Sequence, residues 1–161
     1  MIWLIGNKGM LGTELSNLLA SRSVPFVGTD REVSILDPEA MASFARGKDI
    51  GCIINCAAYT AVDKAETEED LARKLNADGP ENIGRLAAGI GARVIHISTD
   101  YVFDGRKGAP YVESDAPNPL NVYGKTKLEG EQAVQAVGGA YLVLRTSWVY
   151  SLRQGGFVTK V

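Results

Sequence analysis

Behind the apolar run 2–5 the chain reads Gly6-Asn7-Lys8-Gly9-Met10-Leu11-Gly12 and passes straight into helical spacing. Glycines at G-x-x-G-x-x-G spacing between a strand and a helix leave few folds open, because such a turn opens the first βαβ unit of dinucleotide-binding α/β proteins. Gly6 permits the tight turn, Gly9 lets backbone approach a pyrophosphate, and Gly12 lets the helix sit close on its strand. Met10 and Leu11 then begin the helix, whose free N–H groups and positive dipole end suit phosphate. A glycine-rich turn without a ligand is the plain alternative. Strand, glycines and helix in the required order at the head of the chain favour a bound dinucleotide.

The rest of the chain repeats that alternation. Runs 2–5, 25–29, 51–56, 94–98 and 141–146 are rich in Ile, Val and Leu and mostly apolar on both sides, as in strands covered on both faces. Between them, 10–22, 38–47, 66–89 and 122–137 carry helical spacing, with Leu11, Leu15, Leu18 and Leu19 forming a stripe on the first. Together they predict one α/β domain over 1–161, a Rossmann-like doubly wound parallel sheet with helices on both faces. The charged run 63–74 is expected to be a solvated helix face. Residues 157–161 look like the opening of a further helix, so a fragment of a longer chain is expected.

A net charge of -2 and a pI near 5.5 give no basic field for nucleic acid or anionic membrane. No apolar run reaches the width of a bilayer, so no transmembrane helix is expected. The N-terminus reads as a buried strand and not as a signal peptide. Cys52 and Cys56, about 13 Å apart along a strand, lie beyond disulfide reach. Reduced thiols suit a cytoplasmic setting. With the solitary His96 they supply too few ligands for a metal, and none is expected.

Asp30 ends the second run, where an acid bonds the adenosine ribose of NAD(H); Arg31 follows at once and suits a 2′-phosphate. NADH and NADPH both stay open. Small residues at Asn55-Cys56-Ala57-Ala58-Tyr59-Thr60 let a cofactor lie against backbone, or let a helix pack there. Ser98 and Thr99 leave a strand at its carboxyl end, where ligands of open α/β sheets bind; His96 is expected in the core. Asn121 is the expected N-cap of a helix that sets Tyr123 in its first turn and Lys127 on the same face. That cation and the helix dipole are expected to favour tyrosinate, lowering the phenol's pKa from about 10. A phenol so placed can donate its proton to a carbonyl oxygen as hydride reaches the carbon. Gly124 points to close approach of a ligand or a neighbouring backbone.

G-x-x-G-x-x-G, a strand-end Ser/Thr and Tyr-x-x-x-Lys together resemble the extended short-chain dehydrogenase/reductases. NCAAYTAVDKAE (55–66), HISTDYVFDG (96–105), NVYGKTKLEGE (121–131) and LRTSWVY (144–150) are similar to segments of the dTDP-4-dehydrorhamnose reductase family. The resemblance implies NAD(P)H-dependent reduction of the 4-keto group of a dTDP-4-keto-6-deoxy sugar, in dTDP-L-rhamnose biosynthesis. It implies Thr99, Tyr123 and Lys127 as the catalytic trio. It gives Gly6, Gly9 to Gly12, Asp30, Arg31, Ser34, Ile35, Ala58 to Thr60, Ile97, Tyr123 and Lys127 to the cofactor. Thr99, Asp100 and Trp148 would touch the sugar nucleotide, although Trp148 could instead be core. Ser34, in Val33-Ser34-Ile35-Leu36, stands near the third strand where the family usually has an acid. The family continues into a C-terminal region that supplies most of the nucleotide-sugar pocket and is expected to be absent from this chain. A nucleotide-sugar epimerase and a non-catalytic NAD(P)-binding regulatory module, as in the regulatory subunit of methionine adenosyltransferase, are the alternatives. The oligomeric state stays open, a homodimer included.

Overall fold

A computed structural model describes residues 1–151; the expected helix at 157–161 lies outside the described residues. Five strands form one parallel sheet in the order β2-β1-β3-β4-β5: β1 (Ile2–Ile5), β2 (Phe26–Thr29), β3 (Cys52–Asn55), β4 (Arg93–Thr99) and β5 (Tyr141–Thr146). The chain winds outward from β1 to β2, returns to β3 on the other side of β1, and continues outward. The order thus reverses between β1 and β3, where a ligand crevice opens at the carboxyl ends of an open α/β sheet.

The core lies on the face reached by Trp3, Ile5, Ile53 and Val94. It is closed by Met41 and Ala45 of α2 (Pro38–Ala45), Ile83 and Ala87 of α5 (Gly79–Ile90), and Val134 of α6 (Val122–Val137). Right-handed crossovers place α1 (Met10–Ser21), which returns the chain in the opposite direction, on the other face. Helices therefore cover both faces, but unequally. Leu142 and Leu144 of β5 remain 50% and 40% exposed, and Leu18 of the α1 stripe is 49% exposed. The expectation of strands covered on both sides fails at β5, because among the described residues α1 alone packs on that face.

Residues 33–36 lie in the turns after β2: Ser34 Oγ accepts from Leu36 N at 3.2 Å, while Ile35 is buried in the core. The long helix expected at 66–89 runs continuously through α4 (Glu69–Arg73), a π-helical turn (Lys74–Asp78) and α5, with the short α3 (Val62–Ala65) ahead of it. The π turn precedes Gly79-Pro80, where proline has no N–H for the i→i−4 ladder, and it absorbs the shift of register. Helix α6 has the expected bounds. The Asn121 side chain accepts from Gly124 N at 2.7 Å, and Glu66 adds a second cap by accepting from Val122 N at 2.8 Å.

Candidate active site

The glycine turn is built by exclusion. Gly6 has φ 76, and a Cβ on it would lie 2.7 Å from Ala57 N. A Cβ on Gly12 would overlap the Gly6 carbonyl, so this glycine lets α1 start directly against the end of β1. Gly9 N-caps α1 with no side-chain hydrogen bond, and the first turn holds no acid. The positive end of the helix is thus left to an anion, as a pyrophosphate requires. Beside it, Glu32 folds back so that Oε1 accepts from Asp30 N at 3.0 Å and Oε2 pairs with Lys8 at 3.2 Å. Asp30, Arg31, Lys8 and Glu32 therefore gather at the end of β2, where the adenosine ribose would lie. These features fit a dinucleotide, and Ala57 to Tyr59 form the opposite wall.

The second half of the site stands at the carboxyl end of β4. Thr99 is buried and its hydroxyl donates to Asp100 Oδ1 at 3.1 Å while accepting from Tyr101 N at 3.2 Å. Ser147, just past β5, donates to Asp100 Oδ2 at 2.8 Å, which ties the two strand ends together. Tyr123 is half-buried in the first turn of α6, edge-on to Tyr101 with ring centroids 5.6 Å apart. One turn on, Lys127 is 2% exposed and Nζ donates to Ile97 O at 2.7 Å. Gly124 makes this approach possible, because a Cβ there would run into the Tyr101 carbonyl.

Electrostatics correct one expectation. Burial raises the Tyr123 pKa, Thr99 draws it down, and Asp100 and Tyr101 raise it further. The phenol is held protonated, not as tyrosinate, chiefly because burial penalises its charged form. Burial pulls Lys127 down to about 8, against the opposing pull of Glu131 and Cys56. Burial also pushes the Cys56 thiol up to about 11 and the His96 imidazole down to about 3. A neutral phenol beside a buried ammonium is a proton donor with a charged support.

The turn residues Gly6, Gly9, Met10, Leu11 and Gly12 and the walls Asp30, Arg31, Ala58, Tyr59, Thr60 and Ile97 all lie along this carboxyl edge. Ser34 and Ile35 lie in the turns beyond β2, where the Ser34 hydroxyl accepts from Leu36 N and Ile35 packs against Gly79. Trp148 is not core; it is 82% exposed with φ 52 just beyond β5. His96 is buried as expected, and Asn55 Nδ2 lies 3.1 Å from its Nδ1. Cys52 and Cys56 are unpaired, and among the described residues no cluster of ligands suits a metal.

Sequence reading missed Asn76. Fully buried in the π turn, it accepts from Tyr59 N (2.8 Å) and donates to Tyr59 O and to Thr126 Oγ1 (both 3.1 Å). It thereby ties the cofactor wall to the helix of Tyr123 and Lys127. Gly79-Pro80 was its one signal, since π turns gather at functional sites. Glu131 and Arg145 were missed as well.

A parallel sheet reversing at a glycine turn, with Thr99, Tyr123 and Lys127 collected on its carboxyl edge, defines a Rossmann-like α/β protein carrying the motif residues of the short-chain dehydrogenase/reductases. The chain belongs to the family described as the RmlD substrate binding domain, whose match covers residues 1–161. It is 44% identical over 160 residues to a dTDP-4-dehydrorhamnose reductase of Escherichia coli (strain K12), covering 97% of this chain and 54% of that protein. A dTDP-4-dehydrorhamnose reductase structure from Clostridium acetobutylicum matches at TM-score 0.93 and 43% identity, covering 99% of this chain and 57% of the other. One from Bacillus anthracis, in complex with NADP, matches at TM-score 0.94 and 36% identity with the same coverage. The chain thus spans about half the length of the curated relatives it matches.

Proposed function

We propose that residues 1–161 are the cofactor-binding and proton-transfer domain of an NAD(P)H-dependent dTDP-4-dehydrorhamnose reductase, acting on a dTDP-4-keto-6-deoxy sugar in dTDP-L-rhamnose biosynthesis. The observation that carries this is the union, on one sheet edge, of an uncapped glycine turn with Thr99, Tyr123 and the buried Lys127. Family membership and the NADP complex of a relative support it. The reduced cofactor supplies hydride to the sugar C4 when bound. Tyr123 then donates its phenolic proton to the C4 oxygen as charge develops there, and the Thr99 hydroxyl, turned from Asp100, donates a hydrogen bond to that oxygen. Lys127 holds positive charge on the helix turn after the phenol, which lowers the cost of transient tyrosinate, and it would hold the ribose of a bound cofactor. Asp100 and the exposed Trp148 face the sugar nucleotide.

The free thiols Cys52 and Cys56 support a cytoplasmic setting. A homodimer is the assembly to test by sedimentation. Among the described residues no helix is long and apolar enough to cross a membrane.

NADH and NADPH are titrated separately by fluorescence, and oxidation with the 4-keto sugar is followed in wild type and Tyr123→Phe. Saturable binding is expected, with turnover in the variant reduced about 100-fold or more. Undiminished turnover would remove the phenol from its role. Absence of binding to either dinucleotide would overturn the reading of the glycine turn.

A further inference from the structure

Three successive turns of α6 meet β4. Tyr123 interacts with Thr99. Lys127 bonds the Ile97 carbonyl at 2.7 Å. Glu131, 7% exposed, accepts from Ser98 Oγ at 2.5 Å. The third rung is also held from β5, where Arg145 donates to Glu131 through Nε at 2.9 Å and Nη2 at 2.6 Å, with its guanidinium over the Phe103 ring. Glu131 therefore accepts three hydrogen bonds and is fixed between two strands.

A buried carboxylate is a poor way simply to fasten a helix. An apolar side chain of similar volume commonly does as well or better, because Glu131 gives up its hydration to meet an Arg145 that stays partly exposed. The charge here calls for a use, and its neighbour supplies one. Lys127 lies one turn before Glu131, the spacing at which side chains share a helix face. The other titratable groups around Lys127 offer no anion near neutral pH. The Cys56 thiol at the end of β3 is pushed up to about 11, His96 of β4 is pulled down to about 3, and Tyr123 on its own helix is raised. Among the described residues Glu131 is the carboxylate that acts on Lys127.

We infer that Glu131, clamped by Arg145 and Ser98, is a positioning residue for the site: it holds the buried Lys127 ammonium charged and fixes its turn of α6 against β4. Clamping matters, because a mobile carboxylate would swing onto Lys127 and take the ammonium away from the ribose. The inference rests on the reading of Lys127 as the cation beneath the phenol.

Its test uses the 161-residue chain and two independent readouts. In Glu131→Gln, a near-isosteric change, the Lys127 Nζ titration followed by ¹H–¹⁵N NMR without ligand moves to lower pH by about one unit or more. NADH affinity, measured by fluorescence across pH, loses its alkaline limb at correspondingly lower pH. At about pH 6, where Lys127 is charged in both proteins, affinity changes less than about threefold. Arg145→Met, which leaves the carboxylate to Lys127 and removes a cation, moves the midpoint the other way. Both variants are checked for folding by circular dichroism and chemical shift. A Lys127 midpoint unmoved in folded Glu131→Gln overturns the inference, as does movement in the same direction in both variants. Failure of wild type to bind NADH would instead count against the cofactor reading, and the ligand-free midpoint would still decide the role of Glu131.

Discussion

Lys127 carries its charge where charge is penalised. Its folded pKa of about 8 lies below the unfolded value of about 10.4, so at neutral pH the folded state holds a proton it binds poorly. Between those values the unfolded chain binds more protons, and stability rises with pH through the window; below it the full cost is present. Lys127→Met removes the cost and leaves Glu131 paired with Arg145. The variant is expected to be more stable at pH 7 by about 1–3 kcal/mol, read from urea denaturation, while dinucleotide binding and turnover fall. A destabilised variant would show that Lys127 contributes packing worth more than its desolvation. Spacing set Tyr123 and Lys127 on one helix face, and the family resemblance, not the spacing, singled the pair out in the sequence. The protonation state of Tyr123 was not legible there, because it depends on burial in the folded site and on the Thr99, Asp100 and Tyr101 groups gathered around the phenol.

At the scale of elements, helix α6 shows which glycines are structural. A Cβ on Gly130 would run into the Asn76 carbonyl, at the close crossing of α6 with the π turn. Gly130→Ala is expected to cost about 1–3 kcal/mol as the helix is pushed off that turn, against the usual gain of up to about 1 kcal/mol for alanine in a helix. Gly89, in the last turn of α5, meets nothing within 4 Å, so Gly89→Ala is expected to gain about 0.5–1 kcal/mol. Thermal denaturation of the pair separates the effects, and equal shifts of either sign would refute the assignment of Gly130. Sequence periodicity located α6, its Asn121 cap and most of the strands, since these depend on local pattern. It joined α4 to α5 without the π turn, which Gly79-Pro80 alone signals locally and whose Asn76 reaches Tyr59 and Thr126, contacts that local pattern does not show. The Glu66 cap of α6 was illegible for the same reason.

At the scale of the molecule, the site sits over the best-buried part of the sheet, and a polar pair runs through it. Asn55 Oδ1 accepts from Ala57 N at 3.0 Å, which turns Nδ2 toward His96 Nδ1 and leaves the imidazole proton on Nε2. That Nε2 finds no partner among the described residues. The pair bridges β3 and β4 next to the strand reversal, so protonating His96 would place a charge in the common core of both halves. Its folded pKa of about 3 lies below the unfolded value of about 6.5. The unfolded chain binds more protons between them; stability contributed by neutral His96 is full above about pH 6.5 and is lost as pH falls toward 3. Between about pH 6.5 and 5, before most unfolded carboxylates titrate, unfolding free energy is expected to fall by about 1 kcal/mol per pH unit. Urea denaturation of wild type and His96→Gln measures it. Glutamine can still accept from Asn55 but takes up no proton, so its profile across that window should be nearly flat. Parallel slopes in the two proteins would mean that the acid sensitivity resides in other groups and that the sheet accommodates an imidazolium at little cost.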